Sequence, residues 1–84
     1  MTSEQGKEVI SVLRVRDGQM TIATLADGRI YRIMNIAWGR DDGADFDHVT
    51  TNMSPYITGL PNDFFHTSEI RSLRDEAGSV LFES

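Results

Sequence analysis

The sequence predicts a mainly all-β protein: a small antiparallel barrel of five or six short strands with at most one short helical turn. Two Asp-Gly pairs, Asp17-Gly18 and Asp27-Gly28, separate runs that are rich in β-branched and apolar residues. Asp-Gly is favoured in two-residue hairpin turns, because both central residues of these turns need positive φ. The two pairs therefore predict a three-stranded meander, with strands at residues 9–16, 19–26 and 29–38.

Two-residue turns would also fix the register of the meander. Side chains alternate across a strand, so one face of the three strands is expected to form the core. Its members are Val9, Ser11, Leu13, Val15, Met20, Ile22, Thr24, Tyr31 and Ile33. The opposite face carries further apolar residues near the second turn. Apolar side chains on both faces favour a sheet that curls into a barrel, and a dimer or higher oligomer is the alternative way to cover them.

The remaining chain supplies the other strands between long loops. A fourth strand is predicted at residues 46–52. Residues 63–70 are predicted to form a strand followed by a helical turn, with Thr67 or Ser68 as the cap of that turn. Residues 70–73 and 79–83 form a last hairpin, and the segments 39–45 and 53–62 are loops. Short strands in this number are typical of an SH3-like or Sm-like barrel. We expect residues 1–7 to be a flexible amino terminus and residues 8–84 to be a single domain.

The amino-acid composition indicates what kind of partner the protein binds and in which cellular compartment it acts. The net charge is −5, and residues 41–84 carry nine acidic residues against two basic ones. An acidic surface repels phosphate backbones and suits basic protein partners. There is no cysteine, no signal-peptide pattern and no apolar run long enough to span a membrane. These features predict a cytoplasmic protein that does not associate with membranes.

A partner-binding surface is predicted around the two long loops. Aromatic and arginine side chains are enriched at protein interfaces, and carboxylates steer a basic partner towards its site. The candidate residues are Trp38, Arg40, Asp41, Asp42, Asp45 and Tyr56. We therefore expect a non-enzymatic interaction module that acts as an inhibitor or adaptor of a larger basic protein.

Two other functions remain open from the residues alone. An oligomeric nucleic-acid binder would track phosphates with Arg14, Arg16 and Arg32, although the net charge argues against it. A small-ligand or metal pocket would be lined by His48, His66 and Trp38, but the histidine spacing matches no metal motif. No cofactor, no metal site and no catalytic residue is predicted, because no nucleophile elbow or phosphate-binding loop is present.

The order of several sequence segments resembles that of a known protein family. Four segments, LADG (25–28), HVTT (48–51), TSEIRSL (67–73) and SVLFES (79–84), occur in an order that resembles the Rof family. The resemblance covers about residues 20–84. The acidic amino-terminal region of that family has no counterpart in the segment MTSEQGKE of this chain. Members are small acidic Rho-binding antiterminators with an Sm-like barrel. The resemblance thus implies a small barrel and a protein partner involved in transcription.

Overall fold

The computed structural model describes all 84 residues and shows one helix followed by seven strands. The elements are α1 (Ser3–Val15), β1 (Thr21–Leu25), β2 (Ile30–Ile33), β3 (Ile36–Gly39), β4 (His48–Thr51), β5 (Phe64–His66), a 3₁₀ turn (Thr67–Glu69), β6 (Ile70–Asp75) and β7 (Val80–Glu83). The first sheet has the order β2-β1-β6-β7 and the second sheet the order β3-β4-β5, and both are antiparallel. The mainly β fold is confirmed, but there are seven strands instead of the predicted five or six, and a 13-residue helix instead of at most one short helical turn. No strand pairing joins the two sheets, so the barrel is not closed.

The predicted first strand at residues 9–16 is wrong, because this segment belongs to the 13-residue helix α1. Its buried residues, Gly6, Val9, Ile10 and Leu13, follow the i, i+3, i+4, i+7 spacing of one helix face. Residues 3–7, which we expected to be flexible, form the first turns of α1. The structure holds no helix that is long and apolar enough to cross a membrane.

A capping box starts α1 at Thr2. The Thr2 hydroxyl oxygen accepts the Gln5 N–H at 3.2 Å, and the Gln5 side chain accepts the Thr2 N–H at 2.9 Å. These reciprocal bonds satisfy backbone donors that have no partner inside the helix. The sequence Thr-Ser-Glu-Gln at residues 2–5 is therefore a start signal for a helix, and it explains why the amino terminus is ordered.

Asp17-Gly18 follows the end of α1 and is not a hairpin turn. Arg16 is the C-cap of the helix, and Gly18 has a φ of 84°. The Gly18 N–H donates to the Met34 carbonyl at 2.8 Å. Glycine adopts this left-handed conformation without strain, so the chain can leave the helix and turn towards β1.

Asp27-Gly28 does form a hairpin, but its loop has three residues. The Leu25 N–H donates to the Arg29 carbonyl at 2.9 Å, and Gly28 has a φ of 91°. This is the three-residue loop in which a left-handed glycine forms a bulge. Thr24 consequently lies opposite Ile30, one residue away from the predicted register.

The one-residue difference exchanges the two faces of β1, because successive side chains point to opposite sides. Ile22 and Thr24 are half-buried rather than core residues, and the fully buried positions of β1 are Thr21, Ala23 and Leu25. Ile33 of β2 is buried as predicted. Met20 is half-buried, and of the helical residues assigned to that face Ser11 and Val15 are exposed.

The predicted strand at 29–38 is divided between the sheets. β2 ends at Ile33 and pairs with β1, whereas β3 begins at Ile36 and pairs with β4. The side chain of Asn52 bridges this bend and accepts the Met34 N–H at 2.8 Å. A change of sheet at residues 34–35 lets one continuous segment contribute to both layers.

The second half of the chain follows the sequence prediction more closely. The fourth strand, the strand and helical turn at 63–70, and the last hairpin are all present. The N-cap of the 3₁₀ turn is His66 rather than Thr67 or Ser68. The core lies between α1 and the inner faces of both sheets, and it contains Val9, Leu13, Ala23, Leu25, Ile33, Val49, Phe65, Ile70, Leu73 and Phe82.

Candidate protein-interaction surface

Trp38 lies in β3, which is an outer strand of the second sheet. Trp38 pairs with Val49 and shares the inner face of the sheet with Val49 and Phe65, which are both fully buried. Because β3 has a neighbour on one side only, the Trp38 side chain remains 44% exposed. A large aromatic side chain that is half-buried at a strand edge is a suitable anchor for a partner.

The acidic loop, residues 40–47, follows β3 directly. It carries four aspartates against one arginine. Arg40 is neutralised within the loop, because its Nε donates to Oδ1 of Asp47 at 2.9 Å. Asp42 and Asp45 are exposed and form no ion pair. The loop therefore presents an excess of negative charge beside Trp38.

Asp41 connects the acidic loop to a histidine-bearing sheet face. Its Oδ1 lies 3.6 Å from Nε2 of His48. Gly39 lies opposite His48, and a Cβ atom at Gly39 would come within 3.3 Å of the imidazole ring. The glycine thus leaves room for the ring to lie over β3.

The outer face of the second sheet is aromatic. His48 and His66 are direct cross-strand neighbours, and the ring of Phe64 stacks on His48 with centroids 5.7 Å apart. Phe64 also contacts His66 edge-on at 5.5 Å and is 55% exposed. The sequence prediction did not select Phe64. The alternation in Phe64-Phe65 could have indicated it, since a strand with one buried phenylalanine directs its neighbour outwards.

The predicted pocket of His48, His66 and Trp38 does not assemble. The two histidines meet on the outer face of the second sheet, whereas Trp38 occupies the inner face. No three histidine or carboxylate side chains of the chain come close enough to hold a metal ion. This arrangement offers a surface rather than a cavity.

A charged cluster links the histidine face to the β1–β2 turn. The Glu69 carboxylate accepts the His66 N–H at 2.7 Å and lies 3.4 Å from Nη2 of Arg29. Arg29 also donates from Nε to Asp27 at 2.7 Å. This last bond is the main reason that the pKa of Arg29 is raised, while the pKa of Asp27 is lowered chiefly by the hydrogen bond from the Arg29 backbone N–H.

Tyr56 lies at the other end of the second sheet from the acidic loop. The loop that contains it, residues 53–62, follows β4 at the end where Ile36 pairs with Thr51, whereas the acidic loop joins Gly39 to His48. Tyr56 is 93% exposed. The predicted interface residues Trp38, Arg40, Asp41, Asp42 and Asp45 are therefore contiguous, and Tyr56 is separated from the loop carboxylates by the length of β3.

The three arginines predicted to bind nucleic acid lie in different parts of the fold. Arg14 is on the exposed side of α1, and Arg16 is held by hydrogen bonds of 2.8 Å to the Thr21 hydroxyl and the Met20 carbonyl. Arg32 projects from the outer face of the first sheet, where Ile22 lies between it and Arg74. Arg74 was not selected from the sequence, because the pairing of β6 with β1 has no local signal.

Comparison with family models, curated proteins and solved structures finds no match for this chain.

Proposed function

We propose that this chain is a non-enzymatic protein-interaction module that binds a basic partner protein. The interface is formed by Trp38 and the acidic loop. The carboxylates direct the approach of the partner, and the indole ring is buried on contact. The module acts as an inhibitor or adaptor of a larger protein, such as a transcription factor.

One observation carries this proposal: the exposed carboxylates of Asp42 and Asp45 have no internal cation, and their loop directly follows the strand that carries the 44% exposed Trp38. The single cation of the loop, Arg40, is already paired with Asp47. A basic partner would supply the missing positive charge, and it would bury apolar surface at Trp38 at the same time. An aromatic anchor rimmed by charges is the arrangement that protein interfaces favour.

We further propose that the two sheets are an open variant of an Sm-like barrel. The bend between β2 and β3 supports this, since one segment contributes a strand to each sheet. The 3₁₀ turn before β6 and the pairing of β6 with β1 support the same interpretation. The resemblance to the Rof family agrees with this architecture and with a protein partner in transcription.

Charge reversal tests the proposed interface. The triple variant Asp41→Lys, Asp42→Lys, Asp45→Lys should lose its partner in a tagged capture from nuclease-treated host lysate. The matched control, Glu8→Lys, Asp17→Lys, Glu76→Lys, changes the net charge equally at exposed positions outside the loop. We expect the control to retain the partner. Equal capture by both variants would disprove the role of the acidic loop.

Nucleic-acid binding is the second candidate, on a different surface from the predicted one. Arg32 and Arg74 flank Ile22 on the outer face of the first sheet, and Arg71 lies on β6 near Ser72, Glu83 and Ser84. None of the three arginines forms an ion pair. Unpaired arginines on a sheet face suit phosphate contacts.

Binding of single-stranded RNA at low salt distinguishes the nucleic-acid-binding function from the protein-interaction function. If the arginine face binds RNA, the variant Arg32→Gln, Arg71→Gln, Arg74→Gln should lose retention while the acidic-loop variant keeps it. An absence of retention by the unmodified protein at low salt would remove this candidate.

A further inference from the structure

We propose that the partner contributes an extended segment, which adds to the free edge of β3 as a new strand. This inference rests on the proposed function and specifies how the same surface binds. The segment is basic at the end beside Gly39 and uncharged at the end beside Ile36.

The backbone pattern identifies the free edge. The Asn52 N–H donates to the Asn35 carbonyl at 3.0 Å, in register with the pairing of Ile36 with Thr51. Bonded and non-bonded pairs alternate in an antiparallel ladder, so Ala37 and Gly39 direct their N–H and C=O groups towards β4. Ile36 and Trp38 direct theirs away from β4. No hydrogen bond from another part of the chain reaches these two residues.

Two of the other outer strands are capped by side chains, which distinguishes β3 from them. On β2, the side chain of Asn52 bonds the outward Arg32 carbonyl and the Met34 N–H, each at 2.8 Å. On β5, which has only three residues, the Glu69 carboxylate accepts the outward His66 N–H. Natural sheets protect their edges in such ways against unwanted pairing.

β7, the last outer strand, lies against α1, which also contacts β3. Val12 of the helix and Leu81 of the strand both pack at the margin of the core. On β3, two alternate residues offer backbone groups to which no other part of the chain is hydrogen-bonded. A strand in this state is a template for the addition of another extended segment.

The charges at the two ends of β3 determine which kind of partner segment can bind along its free edge. The acidic loop begins immediately after Gly39, whereas the 53–62 loop at the Ile36 end contains no charged residue. Lysine or arginine side chains at one end of the added strand therefore face Asp41, Asp42 and Asp45. The opposite end lies on the side of the exposed Tyr56. A second copy of this chain is a poorer occupant, because each copy has a net charge of −5.

The test uses the full chain and a synthetic probe. The probe is an octapeptide, acetylated at its amino terminus and amidated at its carboxyl terminus. Three lysines stand at one end, and valine and threonine alternate over the rest. Two versions are prepared, one with the lysines at the amino-terminal end and one with them at the carboxyl-terminal end. Amide hydrogen exchange is followed by NMR with and without saturating peptide. We expect at least tenfold slower exchange at Ile36 and Trp38. Ala37 and Gly39, already bonded to β4, serve as internal controls and should not change.

N-methylation provides a matched second measurement. Alternate residues of the added strand direct their N–H groups to opposite edges, so methylating one alternate set blocks pairing and methylating the other set does not. Both isomers have the same charge and side chains. We expect one isomer to bind at least tenfold more weakly than the parent and the other to bind as the parent does. A peptide with glutamate in place of lysine should not bind.

Three outcomes would overturn the inference: equal binding of both isomers, unchanged exchange at Ile36 and Trp38, or no binding of the parent peptide. In each case the proposed function is judged separately by the charge-reversal capture and can stand. Slow exchange at Ile36 and Trp38 in the absence of peptide, together with a dimer in sedimentation, would show instead that a second copy occupies the edge.

Discussion

The side-chain amide of Asn52 takes the place of a neighbouring strand beside Met34. Its Oδ1 accepts the Met34 N–H, and its Nδ2 donates to the Arg32 carbonyl, each at 2.8 Å. Nδ2 also lies 3.0 Å from the Pro61 carbonyl. Asn52 is 3% exposed and has a φ of 59°, a left-handed conformation that asparagine tolerates better than most residues. One residue therefore caps the edge of β2 and fixes the bend into β3.

Replacing Asn52 by alanine should lower the free energy of unfolding by about 3 kcal/mol. The Met34 N–H and the Arg32 carbonyl would lose their partners, and the Pro61 carbonyl would keep only the Thr51 hydroxyl at 3.4 Å. Alanine would also have to adopt the left-handed conformation. Urea unfolding followed by circular dichroism measures the change. The variant Asn52→Gly loses the same hydrogen bonds but adopts positive φ freely, so it should be about 1 kcal/mol more stable than Asn52→Ala. Stability of Asn52→Ala equal to that of the unmodified protein would contradict this account of the bend.

A second prediction concerns Gly6, which lies on the buried side of α1. A Cβ atom there would be 3.0 Å from Cδ1 of Phe46 and 3.0 Å from the hydroxyl of Thr67. Alanine is a better helix former than glycine by about 1 kcal/mol, but overpacking a core costs roughly 1–3 kcal/mol. We expect Gly6→Ala to lower the free energy of unfolding by about 1 kcal/mol, measured by thermal and urea unfolding.

The exposed Ser11 provides the control for Gly6, because it lies in the same helix but is not one of its buried residues. Ser11→Ala gains helix propensity alone and should stabilise the protein by about 0.5 kcal/mol. If Gly6→Ala also raised the thermal midpoint, the contact of α1 with Phe46 and Thr67 would be looser than the structure indicates.

The β-rich fold, the hairpin at Asp27-Gly28 and the last four strands could be predicted from the sequence, because these depend on local turn chemistry and alternation. At residues 9–16 the alternating pattern led to the wrong prediction of a strand. Val9, Leu13 and Val15 satisfy a period of two, but Gly6, Val9, Ile10 and Leu13 satisfy the helical period, and the capping box at Thr2 decides between them. A β-branched composition outweighed that signal in the prediction.

The candidate interface was predicted in part for a similar reason. Trp38 and the carboxylates of the acidic loop are adjacent in the chain, so their proximity follows from sequence. The distance of Tyr56 from the loop depends on the antiparallel pairing of β3 with β4, and the free edge at Ile36 and Trp38 depends on which strands have neighbours. Both are properties of the sheet order, which no local pattern encodes.

A third prediction follows from the capping box of α1. Thr2→Ala removes the oxygen that accepts the Gln5 N–H at 3.2 Å, and the loss of such a cap lowers stability by about 1 kcal/mol. Thr2→Ser retains a hydroxyl and should remain within about 0.5 kcal/mol of the unmodified protein. Urea unfolding measures both variants. A Thr2→Ala protein as stable as Thr2→Ser would show that the hydroxyl is not needed to start the helix.

The last prediction concerns acid stability and the turn between β1 and β2. The pKa of Asp27 is lowered from 3.8, chiefly because the carboxylate accepts the Arg29 N–H at 3.0 Å and also because it bonds the guanidinium. A carboxylate whose pKa is lower in the folded state contributes stability that is fully present above its unfolded pKa. That contribution is lost as the pH falls below 3.8 and through the folded pKa.

The variant Asp27→Asn should therefore have a lower thermal midpoint than the unmodified protein near neutral pH, and the difference should shrink towards zero in strong acid. Differential scanning calorimetry from about pH 7 to about pH 2 measures it. Glu76 is the matched control, because it is exposed in the β6–β7 turn and forms no ion pair. Glu76→Gln removes no ion pair and should leave the thermal midpoint near neutral pH close to that of the unmodified protein. A difference for Asp27→Asn that stayed constant throughout the acid range would mean that the ionised carboxylate does not stabilise the turn.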